Sequence, residues 1–209
     1  MNPTAAEHRR RPGSITRGLA CLCAIGVWGV ALSGPASAAK EAPAKTAPVQ
    51  AINACSLLER EEIAKVIDLP VKAGVRKDEG LVTNGAYSSA CVWEVDVENP
   101  NRDNPEAPMG GKSFVILNAM RWPAGLAHTF LDEFRQAEIN HDIPGKTSPR
   151  KFGDDALWWG DGLAVYKGDV SFGLSVFLPP SDKRPPKGVF EERLAPQILR
   201  RLDPHPARK

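Results

Sequence analysis

The sequence offers no C-x-x-C pair, no G-x-S-x-G elbow, no complete phosphate loop and no apolar run of eighteen residues. Each absence removes a class. Without C-x-x-C, two-cysteine thiol exchange has no support. Without the elbow, there is no signature of a serine nucleophile on a strand-to-helix turn. Gly110-Gly111-Lys112-Ser113 is only the tail of a phosphate loop, since the earlier glycine is misplaced and a strand pattern follows instead of a helix. Histidine is scarce, at four in 209 residues, and His128 has no second histidine one turn away on its helix to make a metal pair. An excess of one charge is missing too, with 27 Lys and Arg against 25 Asp and Glu.

What is present begins with a three-part leader. Arg9, Arg10, Arg11 and Arg17 make a basic start, Gly18 to Ser33 is apolar up to its final serine, and Ala36-Ser37-Ala38 follows Gly34-Pro35. That order predicts a secretory signal over residues 1–38, cleaved after Ala38. The sixteen-residue apolar run would span about 24 Å as a helix, short of a hydrocarbon core of about 30 Å, so a retained anchor is the weaker reading. The arginines run into Pro12, unlike a twin-arginine signal, and Cys21 stands too early in the apolar run to be a lipidation site. Cleavage removes four basic residues and one acidic residue, leaving 23 against 24. The mature chain is near neutral, and no basic footprint for nucleic acid survives. The expected location is periplasmic or secreted.

Cys21 and Cys23 leave with the signal, so Cys55 and Cys91 are the only cysteines of the mature chain. In an oxidising compartment such a pair is expected to form a disulfide, the alternative being two buried thiols.

Residues 39–52 are rich in Ala, Pro and Lys and read as a flexible linker, ahead of one domain over residues 53–204 and a tail over 205–209. Ser56 and Glu59 make a capping box for a helix over 56–67, with Leu57, Leu58, Ile63, Val66 and Ile67 as its stripe. Tyr87 to Val97 alternates as a half-buried strand, and Lys112 to Arg121 carries apolar residues on both faces, which predicts a sheet covered on both sides there. Between them, residues 98–111 are a breaker-rich polar loop. Pro123 is placed to start a second helix running to Asn140, with Leu126, Phe130, Phe134 and Ala137 on one face. Short strands flank Gly160-Asp161-Gly162 and Gly168-Asp169, Val170 to Leu178 alternates, and Val189 to Leu202 is a last helix with Pro196 as a kink or restart. The fold class expected is α+β, a mostly antiparallel sheet packed by about three helices and closed by one disulfide. The order suggests two similar halves, each a helix followed by a meander.

Cys55-Ser56-Leu57-Leu58, Glu61-Glu62-Ile63 and Cys91-Val92-Trp93, with Phe152-Gly153-Asp154-Asp155-Ala156 and Lys167-Gly168-Asp169 later, form a pattern over Ala54 to Leu202. It resembles small secreted bacterial envelope proteins of unknown function, many of them lipoproteins. The resemblance implies a Cys55–Cys91 disulfide, a compact α+β domain and no enzyme activity. This chain lacks the lipidated cysteine of those members, so membrane attachment does not carry over.

Asp154, Asp155 and Asp161 are the densest carboxylates, but they lack the spacing of a calcium loop and read as turn residues. His128, His141 and His205 read as surface or packing residues. Trp158 and Trp159 are the candidate binding residues. Neighbours on a strand point to opposite faces, so one of them is presented to solvent if one face is open. Core packing is the plainer alternative for both. The resulting expectation is an exported non-enzymatic domain, without metal or cofactor, that binds an envelope protein. The rival is a small-ligand or glycan-binding domain using an exposed tryptophan. An enzyme would require a deep polar cleft with convergent titratable groups.

Overall fold

Stretches of two-residue apolar period recur after residue 86, and the fold pairs them into one sheet. The computed structural model of the protein describes residues 48–98, 111–143 and 145–203. The expected leader and cleavage site, the first part of the expected linker, residues 99–110 of the polar loop, Pro204 and the tail with His205 lie outside the described residues. Strands β1 (Val75–Leu81), β2 (Tyr87–Glu94), β3 (Phe114–Arg121), β4 (Ser148–Arg150), β5 (Asp155–Trp158), β6 (Leu163–Lys167) and β7 (Val170–Phe177) lie in the order 1-2-3-7-6-5-4. Every neighbouring pair is antiparallel. With helices α1 (Arg60–Ile67), α2 (Thr129–Ile139) and α3 (Val189–Leu202), this is the expected α+β class.

One face of the sheet carries the main core. Trp93 of β2, Val115 and Leu117 of β3, Phe172 and Leu174 of β7, and Val165 of β6 alternate onto it, and Ile63, Leu194 and Ile198 of α1 and α3 cover them. On the opposite face, α2 lays Leu131 over Leu157 and Ala164. The two meanders β1–β3 and β4–β7 meet through β3 and β7, and a helix precedes each. Their helices lie on opposite faces, so a two-fold axis through the sheet that relates the meanders does not relate α1 to α2. The described residues cover both faces fully only on the β5–β6 side. Over β3, Ile116 is half-buried and Asn118 exposed, so the two-sided cover expected there is partial.

The disulfide forms between Cys55 and Cys91, with Cα atoms 5.0 Å apart. It alters the start of the first helix. Ser56 does not cap a helix: Ala54–Ser56 is a 3-10 turn, and the Ser56 hydroxyl donates to the Asn53 carbonyl at 2.7 Å. The Cys55 bond and an N–H donated by Ala54 to Ser89 Oγ (3.0 Å) hold this turn against β2, off the line of α1. The helix therefore begins at Arg60, with a capping box made by Glu59 and Glu62 instead.

Two strands carry no apolar alternation and were not expected. β1 is an edge strand whose charged, exposed side chains discourage pairing with another chain, and β4 is an edge strand containing Pro149. The second helix begins six residues later than Pro123, because Gly125 takes a left-handed conformation (φ +80°) and interrupts the turn. Leu126 is consequently exposed, and Leu131 is the fully buried residue of α2. Helix α3 continues through Pro196.

Candidate functional site

β7 extends past the end of the β5–β6 hairpin. Pairing between β6 and β7 stops at Leu163 and Leu174, because the chain turns through Gly160-Asp161. The tight two-residue turn at Gly168-Asp169 sets the alternation of backbone groups along β7, so Val176 points its N–H to the side that β6 no longer covers. An open N–H of this kind needs a partner. Glu191, in the first turn of α3, supplies one: its Oε1 accepts the Val176 N–H at 2.9 Å.

After β7 the chain crosses Pro179-Pro180 and Pro185-Pro186, whose restricted backbones make a stiff strap leading into α3. The strap, the end of β7, the start of α3 and the hairpin tip enclose a cleft of about 570 Å³. Trp158, the last residue of β5, lines one wall, and Phe177 and Phe190 line others. Gly188 sits at the start of α3 with φ +92°, and a Cβ there would stand 3.3 Å from Trp158 Cε3. The indole therefore packs directly on the backbone at the helix start.

Five charged side chains line the cleft: Lys112, Asp161, Arg184, Lys187 and Glu191. Glu191 is only 3% exposed, and burial pushes its carboxyl up to about 7, against the opposing pull of its own N–H and that of Val176. Glu192 next to it adds to the rise, and Lys187 opposes it. Arg184, half-buried in the strap, is lowered by desolvation and has no side-chain hydrogen-bond or ion-pair partner among the described residues. Asp161 at the hairpin tip and Lys187 from the strap pair with each other at 3.0 Å. The result is a water-accessible cleft with aromatic and prolyl walls, one free guanidinium and one carboxyl that titrates near neutrality. A perturbed acid in a concave site marks a functional candidate.

The two candidate tryptophans divide between the faces as the strand period requires. Trp158 lines the cleft, and Trp159 stacks on Phe134 of α2 with centroids 5.5 Å apart. The three aspartates of the sequence separate: Asp154 accepts the Gly168 N–H, Asp155 pairs with Arg135, and Asp161 pairs with Lys187. Among the described residues, no three His, Cys, Asp or Glu side chains gather to hold a metal ion, and no helix is long and apolar enough to cross a membrane. His128 precedes α2 and His141 follows it, both exposed.

Arg184 and Glu191 carry no sequence signal of their own. Arg184 lies in a Pro-rich stretch that reads as a loop, and Glu191 looks like any acid in the first turn of a helix. Glu191 is buried only because the strap brings the helix start back over the end of β7. No protein-family model, no curated protein and no solved structure matches this chain.

Proposed function

We propose that this chain is an exported, non-enzymatic binding domain that takes a small ligand in the cleft beside Trp158. The observation that carries the reading is the cleft itself: its volume lies within the roughly 300–1,000 Å³ of small-molecule sites, and it holds a half-buried tryptophan and an unpartnered guanidinium. Export is supported by the three-part leader and by a disulfide of the kind that persists outside the reducing cytosol. Binding is favoured over catalysis because the two carboxyl groups of the cleft are committed. Glu191 holds the Val176 N–H, Asp161 holds Lys187, and no histidine or cysteine among the described residues lines the cleft. Tryptophan emission, followed while envelope fragments are titrated in, tests this. A change in wild type that disappears in Trp158→Phe supports the reading, and an unchanged spectrum across the panel counts against it.

A protein partner from the envelope is the second reading, and one observation favours it. Val75, Val92 and Ile116 are cross-strand neighbours on the part of the α2-bearing face that the helix does not reach, and Val75 is 53% exposed. Cross-linking to one reproducible envelope protein, lost in Val92→Asp while the fold is retained, is the outcome this reading expects. Equal capture by the variant removes the row from consideration.

A further inference from the structure

The walls and charges of the cleft narrow the chemistry of its occupant. The lining is more apolar than polar, with three aromatic rings and four prolines in it, so it suits an apolar or aromatic body. The charge balance is equally restrictive. Lys187 and Asp161 neutralise each other, which leaves Arg184 and Lys112 as the cations of the lining without an ion pair among the described residues, and Arg184 is the half-buried one. A partly desolvated guanidinium without a partner recovers its lost solvation best from a carboxylate, which matches its paired N–H donors.

Resting on the reading of this cleft as the binding site, we propose that its ligand is a monocarboxylic acid with an apolar or aromatic body. The body lies against Trp158 and the prolines of the strap, and the carboxylate meets Arg184.

Glu191 makes the affinity depend on pH. The groups around it are Lys187 and Arg184 from the strap, Asp161 from the hairpin, Lys112 ahead of β3, the Val176 N–H of β7, and Glu192 on its own helix, which is paired with Arg150. Below about pH 7 the Glu191 carboxyl is neutral and the cleft favours an anion. As pH rises through that value Glu191 becomes charged, and an acidic ligand is repelled.

The test uses the full chain, expressed with its own leader and purified as the host leaves it. Two probes, 4-phenylbutyrate and its neutral amide, are titrated by NMR while the Trp158 indole N–H is followed, with Trp158→Phe fixing the assignment. The acid is expected to bind about tenfold more tightly than the amide at pH 6, to lose that advantage in Arg184→Gln, and to weaken several-fold by pH 8. Glu191→Gln, which keeps an oxygen for the Val176 N–H, is expected to remove the pH dependence. Equal binding of acid and amide overturns the ligand class and leaves the cleft reading standing, as does binding only by a neutral sugar added as a third probe. Shifts from no probe at Trp158, in a protein whose spectrum is folded, overturn the cleft reading as well.

Discussion

The Glu191 carboxylate oxygen lies 2.9 Å from the Val176 nitrogen and closes the one part of β7 that β6 leaves open. A helix side chain thereby takes the place of a missing strand. The cost of burying that carboxyl is visible in its raised pKa of about 7.

Stability should therefore fall as the solution is made alkaline. The folded carboxyl binds its proton more tightly than the unfolded one, so this stability is fully present below the unfolded pKa of about 4.5 and is lost as pH rises through about 7. The loss is at most about 3 kcal/mol. Urea midpoints at pH 5 and pH 8 measure it, and Glu191→Gln should flatten the difference. A wild type whose midpoint is the same at both values would contradict the burial of this group.

The disulfide closes a segment with its ends 36 residues apart, and loop entropy values it at up to about 4 kcal/mol. Cys55→Ser/Cys91→Ser should lower the midpoint by an amount within that limit. Because the bond also holds the 3-10 turn on β2, amide exchange should rise first over residues 53–58. Exchange that rises equally everywhere would show that the turn holds without it.

Ser89 is fully buried, accepts the Ala54 N–H and donates to Asp78 Oδ1 at 2.6 Å. Ser89→Ala leaves a buried N–H without a partner, which costs about 1–3 kcal/mol. Ser89→Thr keeps the hydroxyl and should retain more of the stability. Thermal melts of the two variants side by side decide whether the hydroxyl or the small volume matters.

Gly188→Ala strains a left-handed backbone and presses a methyl onto Trp158. Loss of about 1–2 kcal/mol is expected, with a shift in Trp158 emission. Gly80→Ala is the control: its φ is also positive, at +77°, but a Cβ there meets nothing within 4 Å. It should cost only the backbone strain and leave the emission unchanged.

Arg201 of α3 reaches back to α1, with Nη1 2.8 Å from Glu62 and Nη2 2.9 Å from Glu59. Burial raises the Glu62 carboxyl, but the hydrogen bonds from Arg201 and the Glu59 N–H outweigh it and hold the group below its usual range. This contribution is present above the ordinary carboxylate pKa and is lost as pH falls below it, the reverse of Glu191. Arg201→Met should reduce the acid sensitivity of the midpoint between about pH 5 and pH 3. Acid unfolding identical to wild type would show that the clamp is ornamental.

Most of the fold was legible because its signals are local. The alternation through Cys91, Trp93 and Val95 marked β2, and Leu163 to Lys167 and Val170 to Phe177 announced a hairpin by their turns. Helix α3 occupies the expected Val189–Leu202 and runs through Pro196. β1 and β4 were hidden because edge strands need no buried face. The starts of α1 and α2 were misplaced because a disulfide and a left-handed glycine, both decided by surroundings, override a capping box and a well-placed proline.

The site divides in the same way. Trp158 and Trp159 could be assigned to opposite faces from sequence, since alternation is a property of any strand. Which of them lines a cleft and which lies under α2 depends on where the helices fall, and only tertiary packing sets that. The sequence by itself determined composition, the cysteine pair, the strand periods and the α+β class. The desolvated Arg184 and the near-neutral acid of Glu191 exist only once the strap closes, because burial and pairing belong to the assembled environment and not to the residue.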